Sequence, residues 1–202
     1  MSVTLQKGAK VNLKKSGVCS LGRISVNLSW NKKPKRRFTV QSFFTPAVDG
    51  IDLDIGCLYE LKNGRKGVIQ PLGNKFGDYT NPPYVMLDGD DRTGASKEGE
   101  TLTINGSKIS EIKRILVYTY IYAGIISWQQ ADAVITIKYP GQEDIVVKMD
   151  SFDTECRICG LVLFENYYDE TFSVEKVMRF YKNHRDLDDD YGWGMRWVPG
   201  RK

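Results

Sequence analysis

The chain has 202 residues, 41% of them hydrophobic and 27% charged, with a formal net charge of +4. That composition suits a globular protein with a real core, and a charge of this size does not by itself imply nucleic acid. No apolar run approaches the ~20 residues of a membrane span, and the opening Met-Ser-Val-Thr-Leu-Gln-Lys-Gly lacks the apolar stretch of a secretory signal. The expectation is one domain over 1–202, cytoplasmic, without a transmembrane segment and open to membranes only peripherally.

Along the chain, Val3 to Leu13 alternates apolar and polar residues around Lys7-Gly8, which predicts a short hairpin. Ile24, Val26, Leu28 and Trp30 share one face of a half-buried strand, with Ser25, Asn27 and Ser29 on the other. Asn31-Lys-Lys-Pro-Lys-Arg-Arg37 carries five cations in seven residues and reads as a solvated loop rather than a nucleic-acid patch. Phe38 to Phe44 is a further extended segment. In Ile51-Asp-Leu-Asp-Ile-Gly-Cys-Leu-Tyr-Glu-Leu61 the odd positions point one way, while Asp52, Asp54 and Gly56 point the other. Asn63-Gly64 turns this strand back through 66–72, and 73–83 is a loop.

The stretch Asp88 to Glu100 packs five carboxylates and three glycines into thirteen residues, between Tyr84-Val-Met-Leu87 and Leu102-Thr-Ile104. Its grammar is a long loop joining two strands. Such a concentration of charge is either a solvated turn or the wall of a hard-cation site. Calcium takes about 6–8 oxygen ligands from carboxylates, backbone carbonyls and water. Asp52 and Asp54, roughly 6.5–7 Å apart at their Cα atoms in a strand, are placed to complete such a site.

Glu111 to Tyr122 is apolar enough to run through the middle of a sheet. Trp128 to Ala131 is a short connecting turn, and 133–139 with 144–149 forms a hairpin about Pro140-Gly141. Strands follow over 156–166 and 172–181, the second also compatible with a passage into a helical turn. Residues 185–202 are an acidic and aromatic tail, in which Tyr191, Trp193 and Trp197 form either a docking surface or a lid folded onto the core. About ten strands with regular turn signals and no long amphipathic helix predict an all-β sandwich of two mostly antiparallel sheets with long acidic loops.

Other chemistry finds little support. There is no Walker loop, dinucleotide-binding fingerprint or nucleophile elbow. Cys156-Arg-Ile-Cys159 matches C-x-x-C, but positions three apart in a strand face opposite sides, so these thiols read as structural. The lone histidine, His184, reads as a surface residue beside Asp186. The acidic loop also departs from the EF-hand pattern.

Several stretches, taken in order, resemble the tellurium-resistance, TerD-type stress protein family. Val3-Thr-Leu-Gln-Lys-Gly8 is similar to its opening, Leu28-Ser-Trp30 to its Leu-Gly-Trp strand end, and Ile51-Asp-Leu-Asp-Ile55 to its Asp-Leu-Asp strand. Gly89-Asp-Asp-Arg-Thr-Gly94 resembles its Gly-Asp-Asn-x-Thr-Gly loop, and Ile112 to Val117 the strand after it. The tail, Asp190-Tyr-Gly-Trp-Gly-Met-Arg-Trp197, resembles the TerA-like branch. The resemblance implies a calcium-binding β-sandwich without enzymatic activity, linked to tellurite and other stresses and working with other stress-resistance proteins. It implies ligands at Asp52, Asp54, Asp90 and Asp91, at the backbone carbonyls of Arg92 and Gly94, and at Glu98 and Glu100. Downstream the family's run of acids is replaced by Ala95-Ser-Lys-Glu-Gly-Glu100, so Lys97 weakens the case for a second ion. The alternative is a metal-dependent hydrolase or phosphotransferase-like enzyme using the same acids, with His184 or Arg92 assisting.

Overall fold

The computed structural model describes residues 2–14, 20–30, 51–88, 99–123 and 128–200. Thirteen strands among these residues form two sheets. The first runs β1 (Ser2–Thr4), β11 (Asp144–Lys148), β10 (Val134–Lys138), β3 (Arg23–Ser29), β8 (Glu100–Asn105), β7 (Val85–Leu87) and β6 (Gly77–Asp78). The second runs β2 (Lys10–Asn12), β13 (Thr171–Tyr181), β12 (Ile158–Tyr167), β9 (Ile112–Ala123), β4 (Asp52–Leu61) and β5 (Lys66–Ile69). Among the described residues the strands pair antiparallel except β1 with β11. The expected sandwich is therefore present, with more strands than the ten expected. β6 has only two residues and lies in the stretch read as loop; a two-residue strand is too short to show alternation.

Alternation decides what each strand buries. Ile24, Val26 and Leu28 of β3 meet Leu53, Ile55, Cys57 and Tyr59 of β4, with Ile115 and Val117 of β9, in one core between the sheets. β9 is central in its sheet, flanked by β12 and β4, as its apolar run requires. The two strands beside the acidic loop, β7 and β8, pair through Leu87 and Leu102, so that loop is the connection of a hairpin.

One local expectation fails. Val3 to Leu13 is not a hairpin: β1 pairs with β11 in one sheet, and β2 pairs with β13 in the other. Gly8 (φ +76) provides the turn, but the chain uses it to cross between layers. Local alternation is the same in either case, and only the distant partners differ.

The second sheet has its own outer cover. Leu58, Leu116, Tyr118, Tyr120 and Ile158 point away from the main core and pack with Leu187 and Trp193. After the short α1 (Trp128–Ala131), the covering segment begins with α2 (His184–Tyr191), a helix where an acidic and aromatic tail was expected. Asn183 caps it, accepting from the Arg185 and Asp186 N–H groups at 2.9 and 3.1 Å and donating back to the Asp186 carboxylate at 3.0 Å. Gly192 ends it in the left-handed region. Beyond the helix, Asp188 accepts the N–H groups of Gly194 (2.6 Å) and Met195 (2.9 Å) and the Trp197 indole (2.7 Å). Trp193 is buried, its indole donating to the Tyr59 carbonyl, with the Arg114 guanidinium stacked 3.8 Å over its ring. The aromatic tail is thus a lid on the sheet, not a free docking surface.

Candidate metal centre

β4 presents Asp52 and Asp54 on the outer side of the second sheet, in line with Leu58 and opposite the core-facing Leu53 and Ile55. Asp54 is fully buried and Asp52 half-buried. Asp54 pairs with Tyr120 across β9, and its backbone carbonyl accepts from the Thr119 hydroxyl at 2.8 Å. The ladder slips between Asp52 and Leu53, where Tyr122 is left between partners.

Glu100 arrives from the other sheet. It shares parity with Leu102 and Ile104 of β8, so it faces inward at the mouth of the sandwich, and it is 4% exposed. β5 pairs β4 only as far as Cys57. Past that point Glu100 takes over as neighbour, its carboxylate accepting the Ile55 N–H at 2.8 Å. Trp30, whose indole donates to the Ile51 carbonyl at 2.9 Å, ties the same end of β4 to the first sheet.

The electrostatics place Asp54 and Glu100 in one neighbourhood. Burial first, then the charge of Asp54 and, more weakly, that of Glu100, push the Tyr120 hydroxyl far above its ordinary pKa. Burial, Cys57 and Asp54 do the same to Tyr118, whose hydroxyl bonds Gln70 at 2.6 Å. Neither tyrosine was singled out from sequence. The alternation of β9 was the available signal, since it sets both rings on the face that carries Asp54.

Glu100, buried at the mouth, and Asp54, buried on the outer face of β4, both act on the Tyr120 hydroxyl, and a cation near them would favour their charged forms. Their chemistry, hard anionic oxygen from two sheets, fits calcium. They are not a full shell: among the described residues, no three His, Cys, Asp or Glu side chains converge on a common point. Asp90, Asp91, Arg92, Gly94 and Glu98 lie outside the described residues, as does the basic stretch 31–37. At the loop's near end, Asp88 is drawn instead to Arg23, 3.9 Å away, and to the Thr103 hydroxyl.

His184 is not the surface residue expected. It starts α2, with its ring centroid 5.4 Å from Tyr118, 5.3 Å from Tyr120 and 5.0 Å from Trp197. Burial lowers its pKa to about 4, and its buried Nε2 has no hydrogen-bond partner among the described residues. Cys57 and Cys159 are buried, and burial raises both thiol pKa values; Cys19 lies outside the described residues. Cys156 precedes β12 rather than lying in it.

A sequence model of the TerD domain family matches residues 1–139. Across 202 residues the chain is 36% identical to the tellurium resistance protein TerA of Alcaligenes sp; all of this chain is covered, and it spans 58% of that relative's length. Two crystal structures share the fold. One, of a homologue of telluride resistance protein (TerD) from Streptomyces coelicolor A3(2), has a TM-score of 0.52 and 17% identity, covering 83% of this chain and 95% of that one. The other, of a protein of unknown function, has a TM-score of 0.54 and 13% identity, with 87% and 99% covered.

Proposed function

Because the chain belongs to the TerD domain family, we propose that it is a calcium-binding module of a tellurite-resistance response, without enzymatic activity. In this reading Asp54, from the outer face of β4, and Glu100, from the mouth of the sandwich, are the fixed ligands of the site. Asp52, Asp90, Asp91 and Glu98, with the Arg92 and Gly94 carbonyls, close it from outside. The ion would neutralise the loop and order its surface for other stress-resistance proteins in the cytoplasm. The observation that carries the reading is the arrival of the buried Glu100 carboxylate of one sheet at the Ile55 N–H of the other, one residue along the strand from the buried Asp54. The enzymatic alternative gains nothing from His184, whose ring is enclosed by aromatic side chains rather than turned to a substrate.

Calcium calorimetry with parallel thermal unfolding tests this, on wild type, Asp54→Asn and Asp90→Ala. A ligand bound only by the folded state at 100 times its Kd adds about 2.7 kcal/mol of stability. Heat and a raised Tm in wild type, both reduced at least tenfold in apparent affinity by Asp90→Ala, are expected. No heat and no Tm shift at millimolar calcium would sink the proposal.

A further inference from the structure

A cleft of about 450 Å³ lies on the far side of the second sheet from β12, between β5, the turn after it and the C-terminal lid. Its lining includes Lys66, Lys75 and Arg196, together with Val68, Met195 and Tyr59, and contains no carboxylate. The three cations come from three separate segments. Lys66 is on β5, its ammonium donating to the Trp193 carbonyl at 2.8 Å. Lys75 is held by a tight turn whose ends bond each other, Gln70 N–H to Lys75 O at 2.8 Å and Lys75 N–H to Gln70 O at 3.1 Å. Arg196 lies between Met195 and Trp197, both fastened to Asp188.

Cations on a protein surface are ordinarily spread among acids or extended into solvent. Here none of the three forms an ion pair with a described carboxylate. Their backbones are fixed around one concavity and their exposed side chains line it, so an anion entering it meets three charges of one sign. A guanidinium offers a planar fork for two oxygens, and two ammonium groups add point charges. That combination suits a doubly charged, multi-oxygen group better than a single carboxylate. Val68, Met195 and Tyr59 offer apolar surface beside the charges, and the volume falls in the range of small-molecule sites, roughly 300–1,000 Å³.

We propose that this cleft binds the phosphate group of a small soluble phosphomonoester, with the organic body against Val68 and Met195. The site shares no residue with the calcium reading and stands or falls separately from it.

The test is calorimetric titration of the whole chain with phenyl phosphate and with inorganic phosphate at low ionic strength, repeated at about 0.15 M salt. The variants are Lys75→Gln, Arg196→Gln and the double substitution. Neither side chain forms a hydrogen bond or ion pair within the described residues, so Tm is expected to stay unchanged. Lys66 is spared, because its removal would also release the lid. Saturable binding of phenyl phosphate at least fivefold tighter than inorganic phosphate, weakened about tenfold by each single change and abolished by the double one, is expected. Three results overturn the proposal: no saturable binding, equal affinity for both probes, or binding that survives the double substitution.

Discussion

Asp188 carries more structure than any other single side chain in the lid. It is 1% exposed, and its two oxygens take three donors from the segment that follows α2. Hydrogen bonds to a charged group are worth about 1.5–3 kcal/mol each, with strong non-additivity among neighbours. Asp188→Ala is therefore expected to cost about 2–4 kcal/mol in urea unfolding and to shift the tryptophan emission, since Trp193 and Trp197 both lose their seating. Asp188→Asn, which keeps the shape but not the charge, should fall between. His184 gives the lid a pH dependence. With a folded pKa of about 4 against an ordinary 6.5, the folded state binds fewer protons than the unfolded state between those values. Its contribution is complete above pH 6.5 and lost as pH falls toward 4, by up to about 3 kcal/mol. The His184→Phe variant is expected to show a flatter stability curve across that window. A wild-type curve parallel to the variant's would remove His184 as the cause. Glu60 acts lower on the same scale: burial works against its charge, but the Lys113 and Arg114 hydrogen bonds outweigh burial and hold its pKa below the ordinary value. Both proteins keep Glu60, so it cancels in the comparison.

Between elements, the seat of Glu100 depends on the residue before it. Gly99 has φ +76, and a Cβ there would stand 1.9 Å from the Leu28 carbonyl oxygen. Gly8 has the same φ, but open space where its Cβ would be. Gly8→Ala should cost about 1 kcal/mol from the backbone conformation alone. Gly99→Ala should cost at least about 2 kcal/mol more, and it should also weaken the calcium response by moving Glu100. Equal costs for the two would show that the contact with β3 relaxes freely. Of the strands that could be read from sequence, β3 and the β10–β11 hairpin show period-two alternation with one face buried, β4, β9 and β12 are long apolar runs covered on both faces, and β13 was legible over 172–181. α2 was missed because its acids look like a solvated tail, although Asn183, Asp186 and Gly192 spell a capped short helix. At the site, the acidic loop and Asp54 were visible as charge in an odd place. The bond from Ile55 to Glu100 was not, because it depends on where β5 stops. The cleft of Lys66, Lys75 and Arg196 left no trace in sequence, since its members are far apart and individually ordinary.

At the scale of the molecule, the second sheet is covered on both faces, by the first sheet and by the lid. Ending the chain after Asn183 would uncover Leu58, Leu116, Tyr118 and Tyr120 together, a patch of the kind that drives association. The truncated protein is expected to bind a hydrophobic dye, melt at lower temperature and aggregate; a dye-silent monomer of unchanged Tm would mean the lid adds nothing. The division of β1 and β2 between sheets has a consequence in time. Their partners lie at residues 144–146 and 173–175, so both strands wait for partners made much later in the chain. Until β11 and β13 have emerged from the ribosome, β1 and β2 have nowhere to dock. Contacts this distant in sequence close slowly. β1 and β2 therefore complete the two layers late in the folding of this domain, and the waiting chain presents unfinished sheet edges to chaperones and neighbours until they do.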